Sequence, residues 1–217
     1  HTHFTCLAGV QAVALPIFPS GADYSKGFKR LQRVVARKGR MGRGIVVGVG
    51  GGFVGAGMAG VVADAVDAHG QPSKFVIGMQ RPSRRSFWKI AYLNRGVAPV
   101  EADDPEVAKM IRRCVLEKKT LTATFTYDVL ALADVVVVDV QCDYHKDTFG
   151  HVRNGRADIQ ALEECLKIIG EKIGPDCMVL IETTVPPGTT EYVAYPIVKK
   201  EFERRGINGK TLPLAHS

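Results

Sequence analysis

Three glycines, Gly50, Gly52 and Gly55, stand in the spacing G-x-G-x-x-G directly after the β-branched run Ile45-Val46-Val47-Gly48-Val49. In that context each has a task. Gly50 permits a tight turn, Gly52 lets the backbone approach a phosphate, and Gly55 lets the following helix pack on the strand. Phe53 and Val54 open that helix, whose N-terminus turns its free N–H groups toward an anion. The chemistry is a cradle for the pyrophosphate of a dinucleotide. The plainer alternative is a glycine-rich turn in some other α/β protein.

Two further segments bear on a bound nucleotide. The second expected strand ends Ile77-Gly78-Met79-Gln80, and Gln80 stands where an acid for the adenosine ribose is expected, with Arg81, Arg84 and Arg85 following. An amide can hydrogen-bond a ribose hydroxyl, and the arginines could accept a 2′-phosphate, so NAD and NADP both stay open. The other segment is Glu182-Thr183-Thr184-Val185-Pro186-Pro187-Gly188-Thr189-Thr190-Glu191. It places hydroxyls at the carboxyl end of a strand, where ligands bind in open α/β sheets. Thr189 or Thr190 can cap the helix that follows. By itself this segment fits a capped turn and a substrate-side loop equally well.

The elements that must position these residues follow from periodicity and breakers. A basic helix is predicted over 22–39, with Phe28, Leu31, Val34 and Val35 as its apolar stripe. Strands are predicted over 45–49, 74–79, 121–124, 133–140 and 178–181, with a last one from 211. Helices are predicted over 53–69, 83–94, 105–118, 127–133, 158–173 and 189–205, and a polar loop over 141–156. Strands alternating with helices predict an α/β fold: a doubly wound, mostly parallel sheet with helices on both faces. Residues 1–43 read as an extension carrying the basic helix, and 44–217 as the dinucleotide-binding domain.

Composition narrows the function classes. The chain has 217 residues, 46% of them hydrophobic, and a net charge of +7 concentrated between Lys26 and Arg43. No apolar run reaches the about 20 residues a membrane helix needs. The basic helix has no aromatic interleaving and no recognised nucleic-acid module around it, so it reads as a solvated amphipathic helix. Five cysteines with no C-x-x-C spacing predict neither a disulfide framework nor a zinc site, and point to a reducing cytoplasm. Val10 to Phe18 is broken by Pro16 and has no basic segment before it, which argues against a signal peptide.

Three segments together resemble the nucleotide-sugar dehydrogenases, which include UDP-glucose and UDP-N-acetylmannosamine 6-dehydrogenases. They are Gly50 to Gly55, Asp134 to Val140 with its following loop, and Glu182 to Glu191, which is similar to that family's E-S-T-V-x-P-G-T-T signature. The similarity runs in order from about Gly44 to the C-terminus. It implies a Rossmann domain that binds NAD, in an enzyme of polysaccharide biosynthesis. Such enzymes oxidise the C6 alcohol of a nucleotide sugar to a carboxylate in two hydride transfers, through a thioester on a cysteine. It implies that Thr184 helps position a catalytic water and that Thr183 contacts the cofactor. Val140 and Cys142 would lie against the cofactor, and Arg85 near its adenosine. It also implies a cytoplasmic homodimer for the whole enzyme.

The departures are as informative. Gln80 replaces the usual acid, and Cys142-Asp143 replaces a Thr-Pro pair. The family's catalytic cysteine, lysine and aspartate belong to a later part of the fold that this sequence does not contain. The expectation is a chain that binds cofactor without completing the oxidation. A Rossmann dehydrogenase for a hydroxy acid or hydroxyacyl substrate is the alternative enzyme. A non-catalytic nucleotide-binding or interaction module is the alternative outside catalysis.

Overall fold

The computed structural model describes residues 20–50, 53–81, 83, 86–99, 102, 104–145, 155–208 and 212–217. Six strands form one parallel sheet: β1 (Gly44–Val49), β2 (Lys74–Met79), β3 (Leu121–Thr124), β4 (Val135–Val138), β7 (Met178–Ile181) and β8 (Leu214–His216). Their spatial order is β3-β2-β1-β4-β7-β8. The chain therefore winds outward from β1 in one direction, returns, and winds outward from β4 in the other. The expected doubly wound, Rossmann-type sheet is the one observed. The order reverses between β1 and β4, and the crevice outside their carboxyl ends is where such sheets bind ligands.

Each central strand is buried on both faces, and its residues divide by a period of two. Ile45, Val47 and Val49 of β1, with Phe75 and Ile77 of β2 and Val136 and Val138 of β4, enter one core. Val46, Val76 and Val137 enter the other. The second core is covered by α2 (Phe53–Asp64), α3 (Trp88–Asn94) and α4 (Pro105–Arg112). Ala59 and Ala63 of α2 are small enough to bring that helix close onto the sheet. The first core is covered by α5 (Gln160–Lys172) and α6 (Tyr195–Arg204).

The crossover from β3 to β4 is only a 3₁₀ turn, Tyr127–Leu132, too short to cover the rest of that face. The basic helix, α1 (Gly21–Gly39), covers it: Leu31 is 3% exposed in the first core, with Phe28, Val34 and Val35 packed against it. Ser20 and Asp23 cap α1 reciprocally, the Asp23 carboxylate accepting the Ser20 N–H at 2.8 Å. Most of its lysines and arginines face solvent. Lys38 is the exception. It is buried, donates to the Lys119 carbonyl at 2.8 Å, and lies 5.5 Å from the Phe75 ring centroid.

Several elements differ from the sequence expectation. Helix α2 ends at Asp64, short of His69, because the Asp67 carboxylate accepts the N–H groups of His69 and Gln71 and forms a turn instead. The helix expected over 83–94 begins at Trp88. The helix expected from Thr189 starts as a π turn, Thr190–Ala194, that runs into α6; Pro196 has no N–H with which to close a normal α turn there. Within the expected polar loop, β5 (Asp143–His145) and β6 (Arg156–Asp158) pair antiparallel outside the main sheet. The irregular stretch expected over 1–20 lies, except for Ser20, outside the described residues.

Candidate functional site

The carboxyl ends of β1, β2 and β4 open into a cavity of about 810 Å³, bounded on its far side by α5. That volume falls within the about 300–1,000 Å³ usual for small-molecule sites. Gly50, Gln80, Asp139 and Val140 all line it. The glycine loop and Gln80 thus meet in one crevice at the point where strand order reverses.

Gly50 leaves β1 with φ +113°, a conformation that side-chain-bearing residues rarely adopt, and a Cβ on it would overlap the Asp139 carbonyl oxygen. Gly55, in the first turn of α2, is equally confined. A Cβ there would lie 2.7 Å from the Gly50 carbonyl oxygen and 2.6 Å from Asp139 Oδ2. The two glycines therefore close the loop on itself and on the end of β4. This cradle, which a Cβ at either position would fill, fits a pyrophosphate at the head of α2. Gly52 lies outside the described residues. Phe53 and Val54 begin α2 as expected.

Gln80 directly follows β2, and its backbone N–H is held by the Thr124 carbonyl at 3.0 Å. Its side-chain amide donates to Ser86 Oγ at 3.2 Å and to the Arg81 carbonyl at 3.4 Å. The amide oxygen is thus turned toward no protein donor among the described residues, while the N–H₂ end is fixed. Arg81 reaches across the cavity mouth to Glu164 of α5 at 3.9 Å, an exposed and therefore weak pair. Arg85 lies outside the described residues.

On the other side of the switch point, Thr183 follows β7 and is 6% exposed. Its hydroxyl donates to the Val140 carbonyl at 2.8 Å, and the His216 ring donates to the Thr183 carbonyl at 3.3 Å. Thr184 is exposed at the same edge. The two threonines have different situations: one hydroxyl is committed to the fold, and the other is presented to solvent. Glu182, which opens this segment, keeps its Oε2 buried without a hydrogen-bond partner among the described residues. A buried acceptor left unpaired in this way calls for a donor from a ligand or water.

Cys142 is only partly buried, and its thiol donates to the Asp158 carbonyl at 3.5 Å. Burial, and then the neighbouring Asp143 and Asp158 carboxylates, raise its pKa. Burial likewise pushes Cys165 up to about 12 and Cys114 and Cys177 up to about 11. None of these four has the lowered pKa of a nucleophilic cysteine. Among the described residues no group of histidines, cysteines and carboxylates could hold a metal ion.

The sequence reading missed Asp139. It directly follows the apolar strand Val135–Val138, and its carboxyl group lies against Gly55. A charged residue directly after a doubly buried strand was the available signal.

Comparison with known proteins matches residues 45–214 to the model of the UDP-glucose/GDP-mannose dehydrogenase family, NAD binding domain. A UDP-N-acetyl-D-mannosamine dehydrogenase from Pyrococcus horikoshii is 28% identical over 119 residues, covering 55% of this chain and 26% of that protein. Among solved structures, an NDP-N-acetyl-D-galactosaminuronic acid dehydrogenase from Methanosarcina mazei Go1 is similar with a TM-score of 0.68 and 27% identity, over 86% of this chain and 36% of that one. A UDP-D-ManNAc dehydrogenase from Pyrococcus horikoshii shares the fold, with a TM-score of 0.60 at 22% identity over 79% of this chain and 35% of that one. The chain thus spans about a quarter of the length of the curated relative and about a third of the solved ones.

Proposed function

The chain belongs to the UDP-glucose/GDP-mannose dehydrogenase family through its NAD-binding domain, and from that premise we propose that it holds NAD for the oxidation of a nucleotide sugar at its C6 alcohol. The observation that carries the reading is Gly50 at φ +113°, closed against Asp139 and Gly55 at the mouth of the cavity between β1 and β4. NAD, when bound, supplies a hydride acceptor.

The chain's own residues would act as follows. The Gly50–Gly55 loop brings backbone N–H groups to the pyrophosphate at the head of α2, and Gln80 offers its amide oxygen to a ribose hydroxyl. Arg85 contributes near the adenosine, and NADP is disfavoured only weakly because Gln80 carries no charge. Val140, Cys142 and Thr183 shape the nicotinamide side, with the Thr183 hydroxyl fixing the Val140 carbonyl. Thr184, exposed at the end of β7, orients a water.

The raised thiol pKa values of Cys114, Cys142, Cys165 and Cys177 support a chain that binds cofactor without completing the oxidation. Full turnover belongs to the complete enzyme, which the reading takes to be a cytoplasmic homodimer acting on a nucleotide sugar. Among the described residues no helix is long and apolar enough to cross a membrane. The exposed cations of α1 are read as a solvated face rather than a nucleic-acid contact.

Calorimetric titration of the chain with NAD and NADP tests the proposal. Binding of NAD is expected, together with its loss in Gly50→Ala at unchanged circular dichroism. No response to either dinucleotide would favour an interaction module. Reduction of NAD by this chain with a UDP-sugar would overturn the separation of binding from turnover.

A further inference from the structure

The Asp139 backbone closes the glycine loop, and its carboxyl group stands at the centre of the same site. Its backbone N–H donates to the Val49 carbonyl at 2.8 Å, which fixes the end of β4 against the end of β1. Its carboxyl group lies against Gly55, at the head of α2. Oδ2 lies so close over Gly55 that a Cβ there would come within 2.6 Å of it. Gly55 is in the first turn of α2, whose N–H groups have no partner within the helix and attract an anion. The protein's own carboxylate therefore stands beside a donor to which a pyrophosphate oxygen would be drawn.

The surroundings do little to neutralise it. Among the described residues no ion pair is made to Asp139. Arg81 and Lys89 face the same cavity from beyond β2, Tyr127 from the 3₁₀ turn, and Glu164, Lys167 and Glu171 from α5. Cys165 also lines it, as a neutral thiol. The only ionisable group on α2 is Asp64, at the opposite end of the helix. The charges across the cavity are mixed in sign, so they do not replace the missing counter-charge. Two anions on one N–H repel, and the carboxyl group can relieve that repulsion by taking a proton.

We propose that Asp139 contends with the cofactor pyrophosphate for the Gly55 N–H, so that NAD binding takes up a proton at Asp139 and tightens as the pH falls. The inference rests on the glycine loop being the pyrophosphate cradle. Burial already holds the Asp139 carboxyl above the ordinary carboxylate value, with the Gly55 hydrogen bond opposing it. A bound pyrophosphate raises it further. The bound state then carries more protons than the free state between those two values, and affinity falls with rising pH across that window.

Calorimetric titration of the chain with NAD in EDTA-containing buffer, over about pH 5 to 8, tests this, with adenosine as a ligand that lacks the pyrophosphate. One linked proton gives up to roughly a tenfold rise in Kd per pH unit for NAD at the steepest point, and a flat profile for adenosine. Asp139→Asn and Asp139→Ala are expected to bind NAD about tenfold or more tightly at the alkaline end and to lose the pH dependence. Two variants are used because the asparagine amide oxygen can still accept from Gly55. If the wild-type chain binds NAD but both variants match it in affinity and slope, this inference fails and the cradle stands. If neither the chain nor its variants bind NAD at any pH, the cradle fails and the inference with it.

Discussion

The Thr183 hydroxyl donates to the Val140 carbonyl at 2.8 Å, so the end of β7 holds the loop that leaves β4. This contact joins the two strand ends on the side of the crevice away from Gln80. It turns a hydroxyl residue of the Glu182–Glu191 segment into a fixed support for its neighbours. Thr183→Val removes the donor and leaves a part-buried carbonyl unpaired, at a cost of about 1–3 kcal/mol. Thr183→Ser keeps the bond and is expected to recover most of that. Urea unfolding of both variants checks the difference, and equal destabilisation would show that packing of the Thr183 methyl matters more than its hydroxyl.

Gln80 is positioned by Ser86 and by the Thr124 carbonyl, not by chance solvent contact. Gln80→Asp places an ionised acceptor at the end of β2. A hydrogen bond to a charged group is worth about 1.5–3 kcal/mol, so NAD is expected to gain about tenfold over NADP. Competitive titration of the two dinucleotides reads this ratio. An unchanged ratio removes the residue from the ribose site.

Asp64 ties the end of α2 to Arg113–Glu117, a π turn that continues α4, and to Lys118 beyond it. Arg113 donates to it at 2.8 Å and Lys118 lies 2.6 Å away. The Arg113 hydrogen bond, above all, holds its carboxyl far below the ordinary value of 3.8, against a smaller opposing effect of burial. A group lowered on folding stabilises the native state above its unfolded pKa, and that contribution fades as the pH falls below about 4. Asp64→Asn is expected to cost about 1–2 kcal/mol at neutral pH, after allowance for solvent screening of this partly exposed cluster. The variant and the parent should converge in stability at the acid end. Thermal unfolding across pH checks this, and a constant gap between the two would contradict it.

The thiols give a direct chemical test. Cys114, Cys165 and Cys177 are buried with raised pKa values, and Cys142 is the most accessible of the described four. Iodoacetamide on the native chain, followed by peptide mass analysis, should modify Cys142 first and the other three only after unfolding. Rapid modification of Cys165 would mean that α5 opens from the sheet.

Local signals made much of this legible. A glycine spacing after a β-branched run, strand and helix periods, and the Asp104-Pro105 start of α4 each act within a few residues, and the structure reproduces them, with Asp104 capping α4 at 2.8 Å. The β5–β6 pair gave no such signal because its residues are exposed or only half-buried, so no apolar alternation marks it. The early end of α2 was lost for a different reason. Helix propensity favoured continuation, and the Asp67 side chain, by accepting two backbone N–H groups, made a turn cheaper.

By itself the sequence determined the kind of sheet, the place of the glycine-rich loop and the segments at the strand ends, because backbone conformation and periodicity are written locally. Only the tertiary structure decided which of those residues meet. It put the Asp139 carboxyl against Gly55, the Thr183 hydroxyl on Val140, and α1 over the face that a six-residue 3₁₀ turn leaves open. The physical reason is that these contacts join distant parts of the chain. Their geometry is set by strand order and register, which parallel pairing fixes only once every strand has found its neighbour.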